Sequence, residues 1–175
     1  MVKTTTVKEM DQHKVSLLPV EQYLAGLNRK RMSAGAVFRD DLSRVLLLKP
    51  SYKKTYEIPG GTVDADEAPW AAANREIFEE LGLELPIGRL LVVDYLPARG
   101  AWPEGMAFLF DGGFLGEKCL ANMTFSDSEI LSAGFYSLAE ARKTVNTLLA
   151  DRIQLALAAL AEGTTILSES GKRVT

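Results

Sequence analysis

The stretch Gly61–Leu83, GTVDADEAPWAAANREIFEELGL, has the most informative residue spacing in this chain. Gly60 and Gly61 allow the backbone to turn tightly and to approach a ligand closely. Pro69 occupies a first-turn position, where its missing N–H is tolerated, and Gly82 is well placed to end a helix. The pattern therefore predicts a glycine turn, a short acidic loop and then a helix.

Three carboxylates on this predicted helix share one face. Glu76 and Glu80 are four residues apart and Glu79 lies between them, so at about 100° per residue they fall within roughly 100° of arc. Such an edge is either solvated or neutralised by cations. Oxygen-only ligands suit Mg²⁺ or Mn²⁺ rather than zinc, which favours histidine or cysteine. Arg75 precedes Glu79 by four residues and is expected to pair with it.

Next to the acidic edge runs an apolar stripe. Its members are Trp70, Ala73, Ile77 and Leu81. An apolar stripe of this width is typical of a helix that buries one face. We therefore expect all four side chains to face a core.

The spacing of the whole stretch resembles the Nudix box of the Nudix hydrolase superfamily. The matching residues are Gly61, Glu67, Arg75, Glu76, Ile77, Glu79, Glu80, Gly82 and Leu83. The resemblance implies an α/β fold, a Nudix-like α/β/α sandwich with a mixed sheet. It also implies a hydrolase that cleaves a nucleoside diphosphate linked to another moiety, by water attack at phosphorus.

The resemblance further assigns roles within the box. It implies Mg²⁺, with Mn²⁺ as an alternative, bound by the Gly60 backbone, Glu76, Glu79 and Glu80. Glu79, Glu80 and Arg75 are the box residues expected to serve catalysis. Arg75 acts there mainly as a support, together with Glu67.

The general base is less closely defined, because family members use either a box glutamate or an acid from a later loop. The loop candidates in this chain are Glu129 and Asp127, within FSDSEI. We favour Glu129, since a carboxylate beside a divalent cation stays ionised and can accept a proton from water. An ordinary surface acid is the alternative interpretation.

The sequence contains few residues that indicate which substrate is recognised. Arg99, Trp102 and Tyr56 are candidates to stack on a base or to pair with a phosphate, although single loop aromatics also serve as packing residues. A nucleoside triphosphate, ADP-ribose and a nucleotide sugar all remain open as the small-molecule nucleotide substrate. A Nudix-fold module that senses a nucleotide without turnover is the alternative function.

Composition excludes several other classes of function. A net charge of −3 over 175 residues argues against general binding to nucleic acid or an anionic membrane. One cysteine, Cys119, and one histidine, His13, cannot form a Cys/His zinc site. Without a secretory signal or a long apolar run, a cytoplasmic location is expected. A homodimer is left open.

The order of predicted elements fits one layered α/β domain. We expect an N-terminal tail and short helix over 1–32, a Nudix hydrolase domain over 33–163 and a polar, frayed tail over 164–175. Predicted strands are Ser33–Phe38, Arg44–Lys49, Ile87–Tyr95, Met106–Leu115 and Gly134–Tyr136. Predicted later helices are Ser137–Val145, which starts with a capping box, and Thr147–Ala161.

Overall fold

The computed structural model describes residues 17–125 and 129–174. Within these residues the strands are β1 (Arg31–Arg39), β2 (Val45–Pro50), β3 (Gly60–Thr62), β4 (Leu90–Leu96), β5 (Gly105–Phe114), β6 (Ile130–Tyr136), β7 (Ile166–Glu169) and β8 (Lys172–Arg173). The helices are α1 (Val20–Ala25), α2 (Pro69–Leu81), α3 (Glu117–Asn122), α4 (Leu138–Thr144) and α5 (Thr147–Glu162). The expectations for residues 1–16 lie outside the described residues.

All the strands of this described part join one sheet, in the order β6-β2-β1-β5-β4-β7-β8, with β3 paired to β1. The β1–β5 and β4–β7 pairs are parallel and the other pairs are antiparallel. Helix α2 packs against β1 and β3, while α5 packs against β4 and β5. The predicted mixed sheet is therefore confirmed.

Strand β2 shows why both faces of the sheet are covered. Its successive side chains point to opposite faces, and four in a row are apolar and buried. Leu46 and Leu48 pack in one cluster with Ile77 of α2. Leu47 packs in the other cluster with Ile153 of α5. The predicted α/β/α layering follows from this alternation.

Helix α2 begins and ends where the sequence predicts. Pro69 occupies the first turn, and Gly82 ends the helix in the left-handed conformation with φ of 66°. Ala73, Ile77 and Leu81 are buried, but the expectation for Trp70 was wrong, because this side chain is 61% exposed. Trp70 belongs to the first turn, and the buried residues of α2 begin only at Ala72.

The C-terminal segment is ordered rather than frayed, so this prediction was wrong. Strand β7 pairs in parallel with β4, and β8 returns antiparallel to β7. Two features explain the order. Ile166 is buried in the core, and Gly171 supplies a turn with φ of 75°. The domain limits proposed from the sequence otherwise stay a prediction.

Smaller differences concern local detail. The strand β5 contains a bulge at its glycine pair, since Val37 faces Asp111 while Phe38 faces Gly113. The capping box at the start of α4 is present. Helix α3 was missed, and Cys119 lies in it. Within residues 17–125 and 129–174, no helix has the length and apolarity needed to cross a membrane.

Candidate functional site

The glycine turn brings the backbone against both β1 and α2. Gly60 adopts φ of 140°, and a Cβ at this position would overlap the carbonyl oxygen of Ala34. Its N–H donates a hydrogen bond of 2.8 Å to Oε2 of Glu80. A Cβ at Gly61 would overlap the carboxylate of Glu76. The turn and the acidic edge of α2 are thus in direct contact.

Arg75 organises the carboxylates around it. Its Nε and Nη2 donate to the two carboxylate oxygens of Glu67, each over 2.9 Å. Its Nη1 donates to Glu76 over 2.9 Å and to Glu79 over 3.1 Å, which is the pair expected from the sequence. Nη2 also donates to the carbonyl of Thr62 over 3.1 Å. The guanidinium holds the pKa of Glu67 down at about 2.

Four glutamates line one cavity of about 280 Å³, which we call the carboxylate cavity. Glu76, Glu79 and Glu80 come from α2, whereas Glu129 enters from the residues before β6 and Ile130 completes the wall. The structure therefore brings the favoured base candidate to the box glutamates. Asp127, the other loop candidate, lies outside the described residues.

Burial and crowding raise pKa values in this cavity. Burial is the main cause that raises the pKa of Glu80 to about 8, and the nearby Glu76 and Glu129 add to it. The Gly60 hydrogen bond opposes this rise. Burial also raises the pKa of Glu76, against the lowering effect of Arg75. Burial in the cavity therefore disfavours the ionised forms of Glu76 and Glu80, and the positive charges of Arg75 and Lys53 only partly offset this effect.

The donor set fits a divalent cation in chemistry and charge, since all its side chains offer carboxylate oxygens around one cavity. In the part of the chain that the structure describes, however, no three histidine, cysteine or acidic side chains are placed to hold one ion as they stand. The hydrogen bonds described above explain this difference: Arg75 holds Glu76, and the Gly60 N–H holds Glu80. Glu76 and Glu80 are nevertheless among the groups that would hold the cation, since each of these bonds engages one oxygen of a two-oxygen carboxylate.

A second cavity, the glycine cavity, has a volume of about 290 Å³ and is lined by the glycine turn itself. Its wall includes Gly60, Gly61, Lys53, Glu57 and Arg152. Lys53 and Glu57 form an ion pair of 2.9 Å. Because Gly60 also contacts Glu80, the glycine cavity and the carboxylate cavity are neighbours.

A third cavity, the tryptophan cavity, is larger, at about 960 Å³, and includes Arg31, Lys53, Arg99, Trp102 and Lys172. The backbones of Arg99 and Trp102 bond to each other over 3.0 and 3.1 Å, which fixes the tight turn that carries them. The Arg31 guanidinium lies 5.5 Å from the centre of the Trp102 ring. Lys53 also borders the glycine cavity, so these two cavities adjoin.

The third substrate candidate, Tyr56, is not brought to Arg99 and Trp102. Its ring packs edge-on against Tyr136, with ring centres 5.4 Å apart. Both rings lie against the core cluster on the α5 side of the sheet. Tyr56 is thus placed as a packing residue, in line with the alternative interpretation of single loop aromatics.

Comparison with known families agrees with this arrangement of fold and site. Residues 29–155 match the family model described as NUDIX domain. The chain belongs to the NUDIX family. Because the match covers the glycine turn, α2 and most of α5, it includes both the carboxylate cavity and most of the sheet around it.

Curated relatives of this NUDIX chain match over shorter stretches. A MutT-like protein of Streptomyces ambofaciens is 36% identical over 67 residues, which are 38% of this chain and 43% of the relative. Diphosphoinositol polyphosphate phosphohydrolase 2 of Rattus norvegicus is 39% identical over 64 residues, 35% of this chain and 36% of the relative. The match thus spans less than half the length of either relative.

Solved NUDIX structures share the fold. The MutT protein of Methanosarcina mazei Go1 superposes with a TM-score of 0.59 at 23% identity, covering 78% of this chain and 98% of that one. A UDP-X diphosphatase gives 0.64 at 18% identity, over 86% and 75% of the two chains. The NUDIX domain of Shewanella oneidensis NrtR, solved with ADP ribose, gives 0.62 at 16% identity, over 82% and 99%.

Sequence reasoning missed the polar side of the glycine cavity. Arg152 belongs to an alanine- and leucine-rich helix, and its partner Asp94 belongs to the apolar strand LLVVDYL. A lone charge within an apolar strand was the available signal, because such a charge is buried only when it is paired.

Proposed function

We propose that this NUDIX chain is a Mg²⁺-dependent pyrophosphohydrolase that cleaves a nucleoside diphosphate linked to another moiety, by water attack at phosphorus. One observation carries the proposal. Glu76, Glu79, Glu80 and Glu129 line a single cavity beside the glycine turn. Four carboxylates around one cavity, two of them partly buried, repel one another unless a cation joins them.

The chemistry needs this cluster because a diphosphate bridge is shielded by its own negative charge. A divalent cation supplies neutralisation of that charge and orientation of the attacking water. Glu76, Glu79, Glu80 and the Gly60 carbonyl are the groups that would hold it. Arg75 keeps the α2 carboxylates in place through its bonds to Glu67, Glu76 and Glu79.

Glu129 is the general base in this proposal. It reaches the carboxylate cavity from a different element than the box glutamates, so it faces them across the cavity rather than along one helix. This position lets it accept a proton from water while the α2 carboxylates remain committed to the cation. Glu79 and Glu80 keep the catalytic roles that the box implies for them.

The tryptophan cavity is the proposed binding site for the part of the substrate that lies beyond the diphosphate, away from the carboxylate cavity. Trp102 is 68% exposed there and offers a stacking face, and Arg99 offers a charged planar donor. Nucleoside triphosphates, ADP-ribose and nucleotide sugars all have such a moiety. The diphosphoinositol polyphosphate phosphohydrolases among the relatives add one non-nucleotide substrate class to be tested.

The decisive experiment is hydrolysis of a substrate panel with Mg²⁺, with products resolved by chromatography. The panel holds nucleoside triphosphates, ADP-ribose, nucleotide sugars and a diphosphoinositol polyphosphate. Cleavage between two phosphorus atoms that stops with EDTA, and in a Glu80→Gln variant, supports the proposal. Manganese replaces magnesium in a parallel series, since the same oxygen ligands accept both ions.

The alternative function is a NUDIX-fold module that binds a nucleotide without turnover. Tight binding of one panel compound with no product from any of them would favour this alternative and refute the hydrolase. A cytoplasmic location and a homodimer stay predictions from the sequence. Cell fractionation and analytical ultracentrifugation, respectively, test these two predictions.

A further inference from the structure

A hydrogen-bonded network links the C-terminal hairpin to the wall of the glycine cavity. Its centre is Asp94, a side chain in β4 with no exposed surface. Oδ1 of Asp94 accepts from the Ser168 hydroxyl over 2.6 Å and from the Gly171 N–H over 2.9 Å. Oδ2 accepts from Nε of Arg152 over 2.7 Å. The network fixes the direction of the Arg152 guanidinium.

Arg152 lines the glycine cavity with one donor still unused. Its side chain is only 12% exposed. Its Nη2 is buried and makes no hydrogen bond within the described part of the chain. A buried charged donor without a partner is destabilising. Because the guanidinium that carries it also lines the glycine cavity, a small shift of this group toward a ligand acceptor in the cavity gains binding energy.

Comparison with a second arginine, Arg39, shows that ligand binding requires an adjacent cavity as well as an unused donor. Arg39 also pairs with a half-buried aspartate, Asp111, over 2.8 Å, and its Nε also lacks a partner among the described residues. Its guanidinium lies over the ring of Phe114. Arg39, however, belongs to none of the walls of the three cavities described above. Of the two, Arg152 alone has room for a ligand.

We propose that Arg152 binds a phosphoryl group of the substrate in the glycine cavity, and that Asp94 is the residue that positions it. The inference rests on the proposed function, because it takes the substrate to be a diphosphate. Gly60 lines the glycine cavity and its N–H bonds to Glu80, so a diphosphate that reacts at the carboxylates has its neighbouring phosphoryl group within the cavity that Arg152 also lines. A guanidinium is the side chain best suited to phosphoryl oxygens.

The network also makes the C-terminal hairpin part of the site. Ser168 and Gly171 lie beyond residues 29–155, the range that matches the NUDIX family model. Through Asp94 they act on Arg152 without contacting the cavity themselves. We therefore expect changes in this hairpin to alter substrate affinity in this chain.

The test compares Arg152→Lys with Arg39→Lys. Both keep the charge that faces the aspartate and both remove the planar fork, but only Arg152 lines the cavity. Isothermal titration with imidodiphosphate in Mg²⁺ measures phosphoryl binding without turnover, and titration with adenosine measures binding of a base without phosphate. We expect Arg152→Lys to weaken imidodiphosphate binding about tenfold and to leave adenosine unchanged, while Arg39→Lys changes neither.

Three outcomes would overturn the proposal. These are a loss confined to adenosine, an equal loss of imidodiphosphate affinity in both variants, and wild-type protein that does not bind imidodiphosphate. Because the probe is not hydrolysed, the result is independent of catalysis. A substrate panel without turnover would refute the hydrolase while leaving this binding result intact.

Ser168→Ala tests the positioning role of the network. The variant keeps the Arg152–Asp94 pair and removes one of the hydrogen bonds that hold Asp94. We expect imidodiphosphate binding to weaken about threefold to tenfold, with Mg²⁺ affinity unchanged. A fall in melting temperature with unchanged imidodiphosphate affinity would show a structural role alone and would overturn the positioning role.

Discussion

The backbone N–H of Gly60 donates to Oε2 of Glu80 over 2.8 Å, across 20 residues of sequence. This bond joins the glycine turn to the acidic edge of α2 and sits between the carboxylate cavity and the glycine cavity. Gly60 and Gly61 look equivalent in the sequence, but they contact different parts of the site. Their substitution should therefore have different results.

We expect Gly61→Ala to fold normally and to lose metal affinity. The added Cβ would overlap only the end of the Glu76 side chain, which can move away. Gly60→Ala should instead lower the free energy of unfolding by about 3 kcal/mol, because it meets the Ala34 backbone and requires a φ of 140°. Urea unfolding and Mg²⁺ titration measure the two effects.

The Gly60→Ala and Gly61→Ala variants serve as controls for each other. Comparable destabilisation by both would show that Gly61 is needed for the backbone rather than for Glu76. Unchanged Mg²⁺ affinity in a stable Gly61→Ala protein would remove Glu76 from the proposed ligand set.

We expect Glu80→Gln to remove activity and at the same time to stabilise the metal-free protein. Loss of a ligand should lower the hydrolysis rate at least about 100-fold. The pKa of Glu80 is raised from 4.5 to about 8, so folding disfavours its ionised form. In EDTA above pH 8, the amide should raise the free energy of unfolding by roughly 2 kcal/mol.

The stability difference between Glu80→Gln and the wild type should depend on pH in a defined direction. Well below pH 4.5 the carboxyl is neutral in both states, so the stability difference between variant and wild type should no longer change with pH. As pH rises from 4.5 to about 8, only the unfolded wild type ionises, and the advantage of the variant should grow. A constant difference across this range would contradict the raised pKa. Glu79→Gln, on the exposed edge of α2, is the control.

Glu129→Gln should lower the maximal rate about 100-fold while nucleotide affinity stays within a factor of about two, if Glu129 is the base. The reason is that the amide keeps the shape of the side chain but cannot accept a proton. Measurement of kcat and KM as a function of pH checks this. Glu21→Gln, on the distant helix α1, is the control, and wild-type rates in Glu129→Gln would reduce Glu129 to a surface acid.

Glu104→Gln should reduce stability above pH 4.5 and have little effect near pH 2. Lys30, Tyr95 and Asn28 all donate to the Glu104 carboxylate, and Lys30 is the main cause that lowers its pKa from 4.5 to about 2. The stabilisation is thus present above pH 4.5 and lost as pH falls toward 2. Melting temperatures of both proteins between pH 2 and 6 check the trend; parallel curves would contradict it.

The sequence was sufficient for the acidic edge of α2 because that edge depends on local spacing. Glu76, Glu79 and Glu80 share one helix, and a regular helix places them together whatever surrounds it. The end of α2 at Gly82 was predictable for the same reason. The position of Glu129 beside the box glutamates was predicted only through the family resemblance, since it depends on how β6 enters the sheet.

The network around Asp94 could not be derived from spacing. Asp94 and Arg152 are 58 residues apart, and they meet only because α5 packs across β4. The order of the C-terminal segment was missed because its sequence is polar, while its pairing partner is the apolar strand β4. The apolar stripe correctly predicted burial of Ala73, Ile77 and Leu81. It failed for Trp70 because the first turn of α2 precedes the buried part of the helix.

The hairpin β7–β8 has a consequence for synthesis of the protein. The NUDIX box and its carboxylates leave the ribosome before the hairpin does, whereas Asp94 gains its full set of bonds only once residue 171 has emerged. A message cut short after α5 would encode every residue of the motif and still leave Arg152 poorly held. Translation therefore completes the network around Asp94 only when the β7–β8 hairpin has been made.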